Sequence, residues 1–323
     1  MCRRLGIAAL SEAVTETFKP PTAAAGPEPL PPGLFDAILE LLHLYSATVP
    51  PDALEVIWLP EGNGAALYES GVLQAIVPPW SDVEGFCGYS VHAQGEGPLA
   101  WALSAGNAQI ERFERARAYW RACDEGQPFV SVRDAQLNCY GQRFGEHSGY
   151  YAIDGGQWPP RALVYIETPE ARYLLTAGVA LRPQPNIERA MPDHHDQSRI
   201  ELGVVLPPSW SKEEALSVAE NLSGISAYPW EVFTWLGSGH TLDFNAWQSP
   251  RFDAAMLTNH HPFVGTVNLP PVFGDSARVL WLLPVTSDDA RLAHDQQAAS
   301  ALLQRLPADR ASRHRRACGR AAR

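Results

Sequence analysis

Between residues 163 and 284 the chain carries five runs rich in aliphatic and aromatic residues: Leu163–Glu167, Arg172–Leu181, Arg199–Leu206, Ala254–Thr258 and Arg278–Pro284. Runs of this length, bounded by glycine, proline and polar residues, read as strands, and the last two as buried ones. They are grouped with helical patterns and do not alternate strictly with them. Ser211 followed by Glu214 forms a capping box, and Leu216, Ala219 and Leu222 continue a helix from it. Leu292, Ala299, Leu303 and Leu306 keep helical spacing over 288–306. This grouping predicts an α+β fold, a mixed β-sheet packed by helices.

A separate α+β domain is expected before it. Strand candidates are Leu54–Leu59, Ala65–Tyr68, Val72–Val77 and Gly88–His92, followed by a helix over Asn107–Cys123 that places Ile110, Phe113 and Trp120 on one side. A helix over Leu34–Tyr45 precedes them, with Leu34, Ile38, Leu41 and Tyr45 on one face. Six prolines between Pro20 and Pro32 make residues 1–33 a Pro/Ala-rich tail that buries little. The expected organisation is a disordered tail over 1–33, an N-terminal α+β domain over 34–128, a second domain over 129–306 and an Arg-rich tail over 307–323.

Charge narrows the partners. The formal charge is −11, from 25 Lys and Arg against 36 Asp and Glu. Residues 307–323 hold six Arg and one Asp, a net of +5, so the other 306 residues carry −16. An acidic body repels nucleic acid and anionic lipid and attracts basic partners. The five cysteines are scattered, odd in number and form no CxxC, which fits a reducing cytosol and no disulfide framework. The apolar run after the basic start ends at Leu10, short for a signal peptide, and no apolar run is long enough to span a bilayer. A cytoplasmic location, no membrane and no cofactor are expected.

The stretch WLGSGHTLDFN, residues 235–245, raises the question of catalysis. Gly237 and Gly239 allow a tight reversal, Trp235 and Phe244 anchor its arms, and His240 can bond a backbone carbonyl before Thr241 restarts a strand. A general base needs a reacting partner and an orienting group. Asp243 is close in sequence, but no Gly-x-Ser-x-Gly elbow is present. A structural histidine is the expectation. Asp193-His194-His195-Asp196 and His260-His261 lack the spacing of a zinc signature and read as polar loops. The alternative is that His194, His195, His240 and His261 converge on a metal and run a hydrolase. Arg199 and Glu201 share a strand face and can pair with each other or with a loop. Glu167 and Glu170 show no spacing that marks a glycosidase. Of the ten tryptophans, Trp230, Trp235, Trp247 and Trp281 read as core. Trp80, Trp158 and Trp210 adjoin proline turns and read as partly exposed, where aromatic rings mark contact surfaces.

Four stretches in order, ARYLLTAGVA (171–180), RIELGVVLPPSW (199–210), YPWEVFTWLGSGHTLDFN (228–245) and RVLWLLPVTSDDARLAHDQQAASALLQRL (278–306), resemble the suppressor-of-fused domain family. Residues 136–145 match its opening helix. The resemblance implies a non-catalytic domain. Eukaryotic members bind a transcription-factor peptide that adds as a strand between lobes, and bacterial members resemble immunity proteins that neutralise a toxin encoded next door. Gly239 stands where eukaryotic members carry an acidic residue, and their C-terminal lobe has no counterpart here, so the transcription-factor role does not carry over. Tyr228 matches a tyrosine near the family's peptide groove. The expected function is a protein-binding protein, an immunity protein occluding a basic toxin, with Tyr228, Trp210, Trp158, Trp235, His240 and Asp243 as binding candidates. A regulatory peptide-binding module is the further alternative.

Overall fold

The computed structural model describes residues 53–81, 86–97, 100–156, 159–191, 194–247, 252–293 and 299–302. The two tails, the Leu34–Tyr45 helix, Trp158, Asp193 and much of the final helix expected over 288–306 lie outside them. The chain divides into two compact units. The first takes residues 1–127, 188–190 and 230–234, and the second takes the rest.

The first unit holds a five-stranded sheet in the order β1 (Leu54–Trp58), β2 (Ala65–Glu69), β3 (Val72–Val77), β4 (Tyr89–Ser90), β5 (Trp101–Ala102). Neighbours are antiparallel except β4 and β5. The run expected over 88–92 is thus a two-residue strand, and β5 carries no sequence signal. Helix α1 (Ala108–Asp124) starts at Asn107, whose side chain accepts the Gln109 amide at 2.9 Å. Its Phe113 and Ala116 pack on Ile57, Ala66, Tyr68 and Ile76. The Trp120 indole donates to the Trp58 carbonyl at 2.7 Å. Arg112 on the same helix holds Glu61 at 3.1 Å and Glu188 at 2.7 Å.

The second unit holds an eight-stranded mixed sheet. Its strands are β6 (Gly149–Ala152), β7 (Ala162–Glu167), β8 (Arg172–Ala177), β9 (Arg199–Leu206), β10 (Thr241–Asp243), β11 (Ala254–Thr258), β12 (Asn268–Val272) and β13 (Asp275–Val285). The order is β10-β11-β13-β9-β8-β7-β6, with β12 also paired to β13. Only β13 and β9 run parallel, with Ala277 opposite Arg199 and Trp281 opposite Gly203. Both faces of this sheet are buried, which is why its strands read as continuous apolar runs. Leu163, Tyr165, Leu174, Ile200, Leu202, Val204, Leu280 and Leu282 face Ala215, Val218 and Leu222 of α4 (Lys212–Glu231). Their neighbours Val164, Ile166, Leu175, Val279 and Trp281 face Tyr140 and Phe144 of α2 (Gln127–Phe144). Between α2 and α4 lies the short α3 (Ile187–Ala190), and α5 (Ser287–Leu292) follows β13. The fold is α+β: a mixed sheet packed by helices in the second unit, and a separate strand-rich part in the first.

Several boundaries differ from the sequence reading. The run over 172–181 is a strand only to Ala177. Gly178 then adopts φ 99°, and Val179–Leu181 form a 3₁₀ turn. A Cβ at Gly178 would stand 2.3 Å from the Pro160 carbonyl oxygen, so the reversal needs glycine. Helix α2 begins well before residue 136, and α4 runs on past Leu222 with Pro229 in its last turn. Strand β12 contains Pro270 and Pro271 and was not expected; β13 is its one strand partner. Among the described residues no helix is long and apolar enough to cross a membrane.

Candidate functional site

The GSGH turn is fixed from three sides. Gln184 is fully buried, and its side-chain amide behaves like a strand partner. It accepts the Leu236 N–H at 2.8 Å and donates to the Leu236 carbonyl at 3.0 Å. From β11, the Leu257 carbonyl accepts the Gly239 N–H, and the Leu257 N–H donates to the His240 carbonyl, both at 2.8 Å. Within the turn, His240 stacks on Trp235 with ring centroids 4.4 Å apart. The two glycines serve different ends. Gly239 takes φ 97°, whereas Gly237 has an ordinary φ and gives room to Trp235, whose ring would lie 2.3 Å from a Cβ there.

Burial lowers the His240 pKa, and a hydrogen bond to the Trp235 carbonyl opposes that shift. Asp243 is exposed on β10, and its carboxylate makes no hydrogen bond or ion pair among the described residues, so no His–Asp dyad forms among them. Strand β10 stands at the end of the sheet order, with β11 as its partner. The turn and β10 therefore present a sheet edge flanked by a half-buried aromatic–imidazole stack and one exposed carboxylate. A sheet edge of this kind can receive a backbone strand where nothing covers it.

The other candidates are dispersed. Tyr228 is 39% exposed near the end of α4. Trp210 lies just before the first residue of that helix, half-buried on the α4-side core. The helix between Lys212 and Tyr228 is about 24 Å long at 1.5 Å per residue, so these two aromatics do not form one patch. Trp158 is outside the described residues. Trp230 and Trp235, expected in the core, are half-buried, while Trp247 and Trp281 are buried.

The histidines do not gather. His194 and His195 stack on each other at 4.1 Å, and His195 lies 3.9 Å from Asp275. His261 is buried, accepts the Phe263 N–H at 3.1 Å, and packs 5.3 Å from the Trp281 ring. His260 faces the Thr266 hydroxyl. Among the described residues no three His, Cys, Asp or Glu side chains are grouped to hold a metal ion. The convergence of His194, His195, His240 and His261 that a metal-assisted hydrolase needs is absent among them.

Arg199 and Glu201 resolve into one device. They do not pair with each other; both grip the turn after Gly178. Glu201 is fully buried and accepts from the backbone N–H groups of Gly178 and Ala180 at 2.9 Å and from Thr176 Oγ1 at 2.6 Å. Burial pushes its pKa up, and these donors oppose it. Arg199 donates to the carbonyls of Ala180 and Leu181 at 2.9 and 2.8 Å and pairs with Asp275 at 2.8 Å. One residue takes the turn's amides and the other its carbonyls, so both charges serve the scaffold. Glu167 is likewise occupied, by Arg172 at 2.7 Å.

Comparison with known proteins finds a likeness over part of the chain. The family model described as Suppressor of fused protein (SUFU) matches residues 158–315, just under half of the chain. A solved structure described as the Sufu-Fu complex crystal structure matches at 14% identity. The match covers 51% of this chain and 78% of that one, with a TM-score of 0.36, too low to carry an argument by itself. No curated protein matches. The four ordered sequence stretches and the family match agree on the same region, which is similar to a suppressor-of-fused domain.

Proposed function

We propose that this chain is a non-catalytic protein-binding protein, and that its role is immunity: it neutralises a co-encoded toxin by occluding it. The observation that carries this reading is the suppressor-of-fused match, because the resemblance implies a binding domain without chemistry of its own. Charge supports the choice of partner. The chain outside its last 17 residues carries −16, and a toxin that acts on nucleic acid must present a basic cleft. Opposite charge accelerates encounter, and a few aromatic anchors then hold the complex. The edge at β10, with Trp235, His240 and Asp243, is the proposed docking face, with Trp210 and Tyr228 as contacts outside it. The domain over 34–128 supplies specificity, while 129–306 is the common part. The compartment is the cytoplasm, where the toxin is made.

The test is coexpression with the toxin gene from the same neighbourhood. Survival that depends on this chain, and a complex recovered after purification of either partner, are expected. Equal killing with and without it refutes the role. The place of β10 at the end of the sheet order also favours a regulatory module that captures an extended peptide from many proteins. A pull-down separates the two: one adjacent gene product for immunity, a recurrent peptide motif for regulation.

A further inference from the structure

On the sheet face that carries α4, one end of strands β6–β8 gathers polar tips. Gly149 pairs with Tyr165, and Glu167 pairs with Arg172. The two-residue period of a strand puts Tyr151, Tyr165, Glu167 and Arg172 on this face. Tyr165 belongs to the core cluster under α4, and Tyr151 and Trp210 pack against that cluster. The Tyr151 ring folds back over Gly149, where a Cβ would lie 2.7 Å from its hydroxyl. Lys212, the first residue of α4, has Nζ 5.9 Å from the Tyr151 ring centroid and donates to the Tyr151 hydroxyl.

One group here lacks a partner, and a second lacks a counter-ion. Tyr165 is 1% exposed, and its hydroxyl has no hydrogen bond among the described residues. It lies within electrostatic reach of Glu167, Arg172, Lys212 and Tyr151. A buried hydroxyl without a partner is disfavoured and calls for an explanation. Lys212 is the second feature: it forms no ion pair among the described residues. The other charges are engaged. Arg172 holds Glu167 at 2.7 Å and the Thr168 carbonyl at 2.7 Å. Glu214 closes the capping box with Ser211, and Glu213 bonds the same first turn. What remains is an ammonium without an ion pair and with donors to spare, a buried phenol able to donate, and the positive end of a 20-residue helix.

We propose that Tyr165, Tyr151 and Lys212 form an oxyanion site that takes a phosphate or carboxylate group, with the Tyr165 hydroxyl and Lys212 Nζ as donors and Trp210 beside it. The site is independent of the β10 edge. The probes are inorganic phosphate and acetate, titrated against the full chain at ionic strength held constant with NaCl, with melting temperature and calorimetric heat as readouts. A saturable upward shift with either anion is expected, and the stronger of the two identifies the source. Tyr165→Phe and Lys212→Met each weaken binding at least tenfold. Tyr165→Phe also raises the anion-free melting temperature, because it deletes the unpaired group. No saturable shift with either anion, an equal shift in both variants, or the same shift from NaCl alone overturns the site. Lys212 is exposed, so its variant folds even where the Tyr165 variant does not.

Discussion

Replacing Gly178 by alanine tests the clamp on the turn that ends β8. Two costs combine. At φ 99° an alanine sits in left-handed backbone, which costs about 1–2 kcal/mol. Its Cβ also stands 2.3 Å from the Pro160 carbonyl oxygen and 3.2 Å from the Phe129 ring. The first neighbour is backbone and cannot rotate away, so the turn must shift, and overpacking of this kind costs about 1–3 kcal/mol. The shift also draws the Gly178 and Ala180 amides off Glu201 and the Ala180 and Leu181 carbonyls off Arg199. The expected loss is about 2–5 kcal/mol. Gly274→Ala is the control: φ is 87° and nothing lies within 4 Å of the added Cβ, so only the backbone cost of about 1–2 kcal/mol applies. Equilibrium urea unfolding followed by tryptophan fluorescence, compared at a common m-value, reports both. If Gly178→Ala is no more destabilising than Gly274→Ala, the steric argument fails, and with it the account of Glu201 and Arg199 as a clamp.

Three further outcomes follow from the geometry. Gln184→Ala leaves the backbone of Leu236 unpaired in the core and is expected to cost about 2–3 kcal/mol in urea unfolding; a loss below about 0.5 kcal/mol removes Gln184 from the account of the turn. The His240 pKa lies below 6.5 in the folded chain, so beneath that value the unfolded state binds more protons and stability falls as the pH drops through the folded value. The difference in melting temperature between the wild type and His240→Gln, followed from about pH 8 to about pH 5, shows this slope, and a flat difference refutes it. Arg112→Met strands Glu61 and Glu188, whose side chains are 18% and 14% exposed, and is expected to destabilise by about 2–3 kcal/mol in the same unfolding assay, since partial solvation lightens the penalty.

What could be read from residue order depended on whether the determining contact was local. The strands at the heart of the sheet were legible because burial on both faces leaves them mostly apolar, as in RIELGVVL and RVLWLLP. The same burial erased the alternation that assigns residues to faces, so only the structure separates Leu280 and Leu282 from Val279 and Trp281. The start of α4 was legible from Ser211 and Glu214, and its far end was not, because Pro229 reads as a stop signal yet sits inside the last turn. Strand β12 was invisible for a related reason: Pro270 and Pro271 argue against pairing, and pairing with β13 alone accommodates them. At the candidate site, the reversal around His240 and its carbonyl bond were readable from two glycines and an aromatic neighbour. Gln184 was missed. It lies 52 positions away from Leu236, in a stretch with no motif, and its role exists only once the chain has folded. The separation of Trp210 from Tyr228 was hidden as well, since α4 extends well beyond the span its spacing suggested.

The parallel contact between β9 and β13 has a consequence for biosynthesis. Strands β6 to β9 can zip together as successive local hairpins while the ribosome is still making the rest. Strand β13 pairs with a segment 78 positions upstream and can dock only after that whole stretch has emerged. Until then β9, apolar apart from Arg199 and Glu201, offers an open border to any passing extended polypeptide. Maturation of this sheet is thus paced by its longest-range register, and the nascent chain is most vulnerable to misassociation in the interval before its eleven-residue centrepiece arrives.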